Sequence, residues 1–206
     1  MSRQWAAVVQ GALTVTYPVA VYFGLVHFNA RTVGGLLLVL LLPSVGLKLA
    51  AVPRSQAWDV LKLPLVILSL VALSAVLNDP RFMLALPVLI NLTLLAGFAR
   101  SLGGTPMIER FARLRQPQLS PGQVRHCRQV TLVWCGFFAL NAAVTACLAW
   151  FASVSAWAIY TGGVAYGLIG LLGTAEYIVR KYRFRDYGSG PHDRLLAQLF
   201  PPRKEV

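Results

Sequence analysis

The chain has 206 residues, of which 57% are hydrophobic and only 13% are charged, and its formal net charge is +12. About 25% of the residues of an ordinary soluble domain are charged, so this composition provides too little polar surface for a water-soluble fold. A soluble protein this basic would suggest a nucleic-acid partner, but here the positive charge is divided among segments that separate apolar runs. The composition therefore predicts an integral membrane protein that binds no nucleic acid.

Six apolar runs have the length needed for transmembrane helices, which is about 20 residues for a hydrocarbon core of about 30 Å. The first run follows Arg3 and is too long for the apolar core of a signal peptide, so we interpret it as a retained helix. The predicted fold class is all-α, a polytopic bundle of six transmembrane helices within residues 1–179, followed by a basic cytoplasmic tail at 180–206. The approximate spans are 5–26, 33–49, 60–77, 82–99, 130–151 and 156–175.

Spans three and four leave one alternative open, because they are short and are joined by the tight turn Asn78-Asp79-Pro80-Arg81. They form either two full crossings or one re-entrant hairpin. Two crossings are favoured, since a hairpin would carry Asp79 and Arg81 into the membrane, where charged side chains are costly.

Lysines and arginines are distributed unevenly around the six spans. If the N-terminus is inside, all but two of the 19 basic residues fall in cytoplasmic segments or at the cytoplasmic ends of spans, and the exceptions are Arg31 and Arg81. Short cytoplasmic loops of membrane proteins carry an excess of positive residues. The distribution therefore predicts an N-in/C-in topology and an even number of crossings.

The longest polar interval inside the chain, residues 100–128, separates the first four spans from the last two. Within it, Thr105 fits the N-cap and Pro106 the first position of a helix. Apolar residues then recur at helical spacing while charged residues occupy other faces: Met107, Ile108, Phe111 and Leu114 against Glu109, Arg110, Arg113 and Arg115. Segment 105–115 is therefore predicted to be an amphipathic helix in the cytoplasmic headgroup layer, which either sets the topology or docks a protein partner.

Basic residues at the cytoplasmic edge are predicted to contact anionic lipid headgroups or a protein partner. Each Lys or Arg close to an anionic membrane surface contributes about 1 kcal/mol of attraction. The residues in question are Arg110, Arg113, Arg115, Arg125, Arg128, Arg180, Lys181, Arg183 and Arg185. The last four alternate with aromatic residues, a pattern typical of an anchor at the membrane interface.

Two asparagines, Asn91 in span four and Asn141 in span five, are the deep polar side chains of the predicted bundle. Such groups usually form hydrogen bonds between helices, at about 0.6 kcal/mol each on average, and a place in a ligand path is the alternative. In span six, Gly163, Gly167 and Gly170 form a surface of small residues. Such a surface allows close helix packing, either within the chain or between copies in a homo-oligomer.

Sequence patterns that mark catalytic, cofactor or metal sites are missing. His27 and His126 lack an aspartate four or five residues later, as an acyltransfer motif would require, and no DxD, HExxH, GxSxG or P-loop pattern occurs. We therefore predict a non-enzymatic protein without catalytic, cofactor-binding or metal-binding residues. The alternative is a membrane enzyme or carrier for a hydrophobic acyl product, with Asn91, Asn141 and His126 as its polar contacts.

Three stretches carry a resemblance to a known family: TYPVAVYFGLVHFNARTVGGLLLVL at 16–40, NDPRFMLALPVLINLTLLAGFARSLGGTPMIERF at 78–111, and VWCGFFALNAAV at 133–144. They resemble the bacterial inner-membrane septation protein A family, loosely, over about residues 14–165. The shared features are an early prolyl-aromatic stretch, the Asn-Asp turn, a Pro-Met-Ile-x-Arg segment and Trp-x-x-Phe-Phe followed by Asn. The glycine-rich last span and the long basic tail depart from that family.

The segment from Thr105 to Arg115 and the stretch WCGFFALN are also similar to a related group of membrane proteins. That group is encoded beside fatty-acid-like synthase components for aryl-polyene pigments such as xanthomonadin. The resemblance implies a multi-pass protein of the bacterial inner membrane that supports cell-envelope or pigment-lipid assembly. It implies cytosolic synthase or division proteins as partners, and it supplies no catalytic residues.

Overall fold

The computed structural model describes residues 17–50, 53, 57–187, 193 and 197–201. Within these ranges the chain is all-helical and contains no β-strand, as the composition predicted. In chain order the helices are α1 (Tyr17–His27), α2 (Ala30–Ala50), α3 (Ala57–Leu77), α4 (Arg81–Leu84), α5 (Leu86–Ser101), α6 (Met107–Arg115), α7 (Pro121–Phe151), α8 (Val154–Ile159) and α9 (Ala165–Phe184). A π-helical turn, Tyr160–Val164, joins α8 to α9.

Three helices of the described chain are long and apolar enough to cross a membrane. They are Arg81–Ser101, Pro121–Phe151 and Val154–Phe184. Shorter apolar helices occur at Tyr17–His27, Ala30–Pro43 and Leu61–Leu77. Residues 5–16 of the predicted first span lie outside the described residues.

Two of the long helices extend well beyond the predicted spans. The fifth span was predicted to begin near residue 130, but α7 begins at Pro121. Ser120 and Gln123 cap it reciprocally: the Gln123 amide donates to Ser120 Oγ at 3.3 Å, and the Ser120 amide donates to Gln123 Oε1 at 2.8 Å. At the other end of the chain, α9 continues to Phe184, so the predicted start of the tail at residue 180 falls inside a helix.

Contacts divide the chain into two compact units. Unit 1 contains the described residues of Met1–Leu94 and Phe138–Val164, and unit 2 contains those of Leu95–Phe137 and Ala165–Val206. The core of unit 1 surrounds Trp157, which is fully buried and packs with Val21, Val33, Met83, Leu84 and Ala149. The Trp157 indole Nε1 donates to the Leu84 carbonyl at 3.0 Å, so its polar atom is also satisfied.

The hairpin of α2 and α3 in unit 1 depends on close approach of its two helices. A Cβ atom placed on Gly34 would lie 2.9 Å from the Cβ of Ala75, so glycine is needed there. At the end of α3, Asn78 adopts a left-handed conformation with φ 51°. Its Oδ1 accepts the Arg31 amide at 3.0 Å, which joins the turn after α3 to the start of α2.

Large apolar side chains cover much of the outer surface of the described helices. Val76 is 70% exposed and Leu171 is 68% exposed, and many more Leu, Val and Ile residues resemble them. Soluble monomers rarely expose large contiguous apolar surface. The exposed apolar surface is compatible with contact to lipid.

The glycines of the last long helix are open in the described part of the chain. A Cβ atom on Gly163, Gly167 or Gly170 would meet no described atom within 4 Å, whereas one on Gly162 would lie 3.5 Å from Pro18. Close packing against these three glycines, within the chain or between copies, stays a prediction.

Candidate functional site

Helix α6 forms where an amphipathic helix was predicted, but its start differs from the prediction. The N-cap is Pro106 and no side chain caps the helix from that position, so the prediction that Thr105 caps it was wrong. Hydroxyl groups from two neighbouring helices accept the first free amides instead: Ser101 Oγ accepts from Met107 N at 2.9 Å, and Thr131 Oγ1 accepts from Ile108 N at 3.3 Å. These bonds hold α6 against both α5 and α7.

The exposed side of α6 carries apolar as well as basic side chains, and its acidic residue is buried. Glu109 is only 5% exposed and pairs with Arg113, with 2.7 Å between Oε1 and Nη2. Phe111 is 55% exposed and Leu114 is 82% exposed. The acidic residue therefore points inward, because a basic neighbour neutralises it, and two apolar side chains are left on the surface.

A cavity of about 800 Å³ lies within unit 2. Its wall consists of α6 and the loop after it, the first turns of α7, the second half of α9 and the residues that follow α9. The apolar part of the wall contains Ile108, Phe111, Ala112, Leu119, Cys127 and Phe184, and the polar part contains Gln116, Gln123, His126, Glu176, Tyr177, Arg180, Lys181, Asp186, Tyr187 and Asp193. This volume is within the range of binding sites for small molecules.

Carboxylates neutralise the two cationic side chains on the cavity wall. Arg180 donates to Glu176 Oε1 from Nη2 at 2.6 Å and from Nε at 2.8 Å. Lys181 Nζ lies 2.9 Å from Asp193 Oδ1, which also accepts the Tyr177 hydroxyl. The cavity is therefore polar at this end, but its cations are already paired.

His126 differs from its neighbours on the wall. Its Nε2 is buried and has no hydrogen-bond partner among the described residues, and it lies 3.7 Å from Glu176 Oε1, which is too long for a hydrogen bond. The imidazole is 5% exposed and packs edge-on against the ring of Phe184, with centroids 5.4 Å apart. Among the described wall residues, it is the one with a buried side-chain nitrogen or oxygen that lacks a hydrogen-bond partner.

The ionisation of His126 and Cys127 follows from their burial. Both residues precede the predicted fifth span. Burial lowers the pKa of His126 below its ordinary value of 6.5, although the Glu176 carboxylate opposes the shift, so the imidazole is neutral at pH 7. Burial raises the pKa of the Cys127 thiol, which keeps it protonated and unreactive.

All three cysteines are free, and their exposure differs: Cys127 is buried, Cys135 is half-buried and Cys147 is exposed. In the part of the chain that the structure describes, no three His, Cys, Asp or Glu side chains come together as metal ligands would.

The predicted basic contact residues separate into two groups. Those on the surface are Arg110, Arg113, Arg125, Arg128 and Arg183. Arg180, Lys181 and Arg185 are half-buried: the first two belong to the cavity, and the Arg185 guanidinium lies 5.1 Å from the Tyr182 ring centroid. The side chain of Arg115 lies outside the described residues.

In unit 1 the structure brings together the two predicted deep asparagines. Asn141 Nδ2 donates to Asn91 Oδ1 at 2.9 Å, and Asn91 Nδ2 donates to the Pro87 carbonyl at 2.8 Å. The Tyr160 hydroxyl completes the network by donating to Asn141 Oδ1 at 2.7 Å. We call these three side chains the polar network. Each has a partner, so the network contains no open ligand site.

Sequence reasoning did not single out Glu176, Tyr177, Asp193 or Tyr160. The spacing of four residues between Glu176 and Arg180 is a readable signal for their ion pair on one helix. No local pattern indicates that His126 and Glu176, on different helices, meet at the same cavity. Tyr160 was missed because it begins the π-helical turn, which changes the helical periodicity.

Comparison with protein-family models, with curated proteins and with solved structures finds no match for this chain. The resemblance to the septation protein A family, and to the group encoded beside aryl-polyene genes, therefore stays a prediction that depends on the residues quoted for it.

Proposed function

We propose that this protein is a non-enzymatic, six-span protein of the bacterial inner membrane, with both termini in the cytoplasm. It supports cell-envelope or pigment-lipid assembly by docking cytosolic synthase or division proteins at its cytoplasmic face. The observation that carries the proposal is the sorting of charge along the chain, because all basic residues except Arg31 and Arg81 lie in segments assigned to the cytoplasm or at the cytoplasmic ends of the spans.

Contacts within unit 1 support this topology. Arg31 and the turn at Asn78 belong to separate predicted outer loops, and the Arg31 amide donates to Asn78 Oδ1 at 3.0 Å. Trp157, just after the third predicted outer loop, donates to the Leu84 carbonyl near the start of span four. Segments assigned to the outer side are thus adjacent in space.

The docking surface is defined by four exposed arginines of unit 2, Arg110, Arg113, Arg125 and Arg128. Helix α6 adds the exposed apolar side chains Phe111 and Leu114. A helix with apolar and basic residues on its surface suits the headgroup layer of an anionic membrane, where the apolar side chains insert. Arg125 and Arg128, on α7, then remain for contact with an acidic protein partner.

Reporter fusions test the topology. Fusions at Arg31, Asp79 and Ser153 should report the outer side, and fusions at Gln56 and Gln118 should report the cytoplasm. A cytoplasmic report at Asp79 would show that spans three and four form a re-entrant hairpin, and an outer report at Gln118 would overturn the proposed topology.

Copurification from native membranes tests docking. The wild-type protein should recover acyl-carrier or synthase components, or division proteins, and the variant Arg125→Gln/Arg128→Gln should lose them. Arg81→Gln is the matched control, because Arg81 is also exposed but is assigned to the outer side. Recovery of neither protein group by the wild type would contradict the docking proposal.

A second candidate function, a carrier for a hydrophobic acyl or lipid product, is favoured by the cavity of about 800 Å³ in unit 2. Of the polar contacts predicted for such a carrier, His126 lines the cavity, whereas Asn91 and Asn141 bond to each other. If this function holds, His126→Ala lowers the amount of product that reaches the envelope, measured by extraction of labelled lipid. An unchanged amount would remove the support.

A further inference from the structure

We propose that the loop between α5 and α6, residues 102–105, binds the phosphate of an anionic phospholipid through the guanidinium groups of Arg110 and Arg128. This site rests on the proposed function for one point, the position of the loop at the cytoplasmic face. It deepens that function by adding a defined lipid partner, and it does not involve the cavity of unit 2.

Two arginines from different helices donate hydrogen bonds to this loop. Arg110 Nε, from α6, donates to the Thr105 carbonyl at 3.0 Å. Arg128 Nη1, from α7, donates to the Leu102 carbonyl at 2.9 Å. Because both acceptors belong to one short loop, both guanidinium groups lie beside it. The two arginines are exposed, and each bond to the loop uses one of several N–H donors, so the remaining donors are available to an anion.

The positive charge of these two arginines is not neutralised within the described chain. Neither Arg110 nor Arg128 pairs with a carboxylate among the described residues. Three other basic side chains of unit 2 do pair with a carboxylate: Arg113, Arg180 and Lys181. Glu109, next to Arg110 in the sequence, is 5% exposed and pairs with Arg113. The loop therefore has two positive charges beside it that a ligand anion can neutralise.

The loop lies where two apolar helices end. The Phe98 ring of α5 packs against the Trp134 ring of α7, with centroids 6.4 Å apart, so these two helix segments are neighbours. The fourth predicted span ends at residue 99 and the fifth begins at residue 130, which places Arg128 and the loop just outside the apolar segments. Basic side chains at this level meet the headgroups of the cytoplasmic leaflet. The anion that fits the site is therefore the headgroup of a membrane lipid.

The loop leaves room for a headgroup. Gly103 and Gly104 are exposed, and a Cβ atom on Gly104 would meet no described atom within 4 Å. The Thr105 side chain is also exposed, and its hydroxyl has no hydrogen-bond partner among the described residues. Guanidinium groups pair with phosphate oxygens through parallel N–H bonds, and a hydroxyl adds another donor. The donors of the loop region thus match the oxygens of a phosphate.

The charge of the site also selects among phospholipids. Phosphatidylcholine carries an ammonium group close to its phosphate, and the two arginines would repel that group. Phosphatidylglycerol has the same phosphate but no cation, so its net charge is complementary to the loop. We therefore expect the site to prefer phosphatidylglycerol.

Native mass spectrometry tests the proposal with the full-length protein in a neutral detergent, titrated with dioleoyl phosphatidylglycerol or dioleoyl phosphatidylcholine. The wild type should bind phosphatidylglycerol at least about 5-fold more tightly. Arg110→Gln and Arg128→Gln should each lower that affinity roughly 5-fold, and together roughly 25-fold, because each removes one basic residue from an anionic headgroup. Arg183→Gln is the matched control, since Arg183 is also exposed and assigned to the cytoplasm but makes no bond to the loop.

A second pair of variants changes the charge of the loop and keeps both arginines. Gly104→Asp places a carboxylate beside the guanidinium groups and should bind phosphatidylglycerol roughly 5-fold more weakly than Gly104→Asn, which has the same size and no charge. Neither variant strains the backbone, because no described glycine has a positive φ.

Four outcomes would each overturn the proposal. They are unchanged affinity in Arg110→Gln/Arg128→Gln, an equal loss in Arg183→Gln, equal affinity for the two lipids, and equal affinity of the two Gly104 variants.

The same measurement is separable from the proposed function, because lipid binding in micelles needs no cytosolic protein and does not depend on the side of the membrane that the loop faces. An outer report at Gln118, together with phosphatidylglycerol binding that depends on Arg110, would overturn the topology and leave the lipid site standing. A cytoplasmic report at Gln118, with binding that is independent of both arginines, would refute the lipid site alone.

Discussion

The polar network of unit 1 and the cavity of unit 2 show two outcomes of the same constraint, which is that a buried polar atom needs a partner. In unit 1, Asn91, Asn141 and Tyr160 bond to one another and to the Pro87 carbonyl. In unit 2, His126 lines the cavity, but its Nε2 is fully buried and has no hydrogen-bond partner among the described residues. A closed network stabilises a fold, whereas a buried polar atom without a partner costs stability.

The largest expected effect tests whether unit 1 depends on tight packing. Trp157→Ala should lower the free energy of unfolding by about 3–5 kcal/mol, because it leaves a large hole in the core. Trp150→Ala, at a tryptophan that is 47% exposed, should change it by less than about 0.5 kcal/mol. Both values come from denaturant titration in detergent micelles. Similar losses for the two variants would show that the core of unit 1 is not closely packed.

A smaller effect is expected when the polar network is broken. Asn141→Leu should destabilise the protein by about 1–2 kcal/mol, since it removes two interhelical bonds and leaves Asn91 Oδ1 and the Tyr160 hydroxyl without partners. Tyr160→Phe removes only one bond and should cost less. Equal stability of Asn141→Leu and the wild type in the same titration would refute a structural role for the network.

Replacing His126 on the cavity wall should affect stability differently from replacing Asn141 in the polar network. His126→Phe should change the free energy of unfolding by no more than about 0.5 kcal/mol, or should raise it, because it removes an unpartnered polar atom and keeps a ring against Phe184. Equilibrium unfolding of the unliganded protein measures the difference. A loss as large as that of Asn141→Leu would make His126 a structural residue and end the contrast between the two regions.

The smallest effect is a dependence of stability on pH. Burial holds the pKa of His126 below 6.5 in the folded state, so the unfolded chain binds more protons between that lowered pKa and 6.5. The contribution of His126 is therefore fully present above pH 6.5 and is lost as the pH falls toward the lowered pKa. The difference in unfolding free energy between wild type and His126→Phe should follow this course, and a constant difference would contradict it.

The helices and the deep asparagines were predictable because their signals are local. A run of apolar residues needs no partner to be recognised, and a polar residue within such a run must find a hydrogen bond. The early start of α7 was also readable in the sequence, since Ser120-Pro121-Gly122-Gln123 has the spacing of a capping box. The prediction missed it because it considered hydropathy alone.

The cavity was not predictable from the sequence for a physical reason. His126, Glu176 and Phe111 are distant in the chain and meet only through the packing of α6, α7 and α9. The cap of α6 shows the same limit, because the local candidate Thr105 is replaced by hydroxyls from α5 and α7. At the start of α6 and at the cavity, contacts between helices that are distant in the chain decide the structure. No local sequence pattern records these contacts.

The three free cysteines differ in exposure, so their reactivity in the wild-type protein reports where each thiol lies relative to the membrane. Cys147 is exposed but belongs to a predicted membrane span, so its thiol should face the fatty-acyl region. A maleimide should then leave Cys147 unmodified in intact vesicles, because a thiol in the acyl region stays protonated and maleimides react with the thiolate. Cys127, which is buried, should also stay unmodified until the protein unfolds.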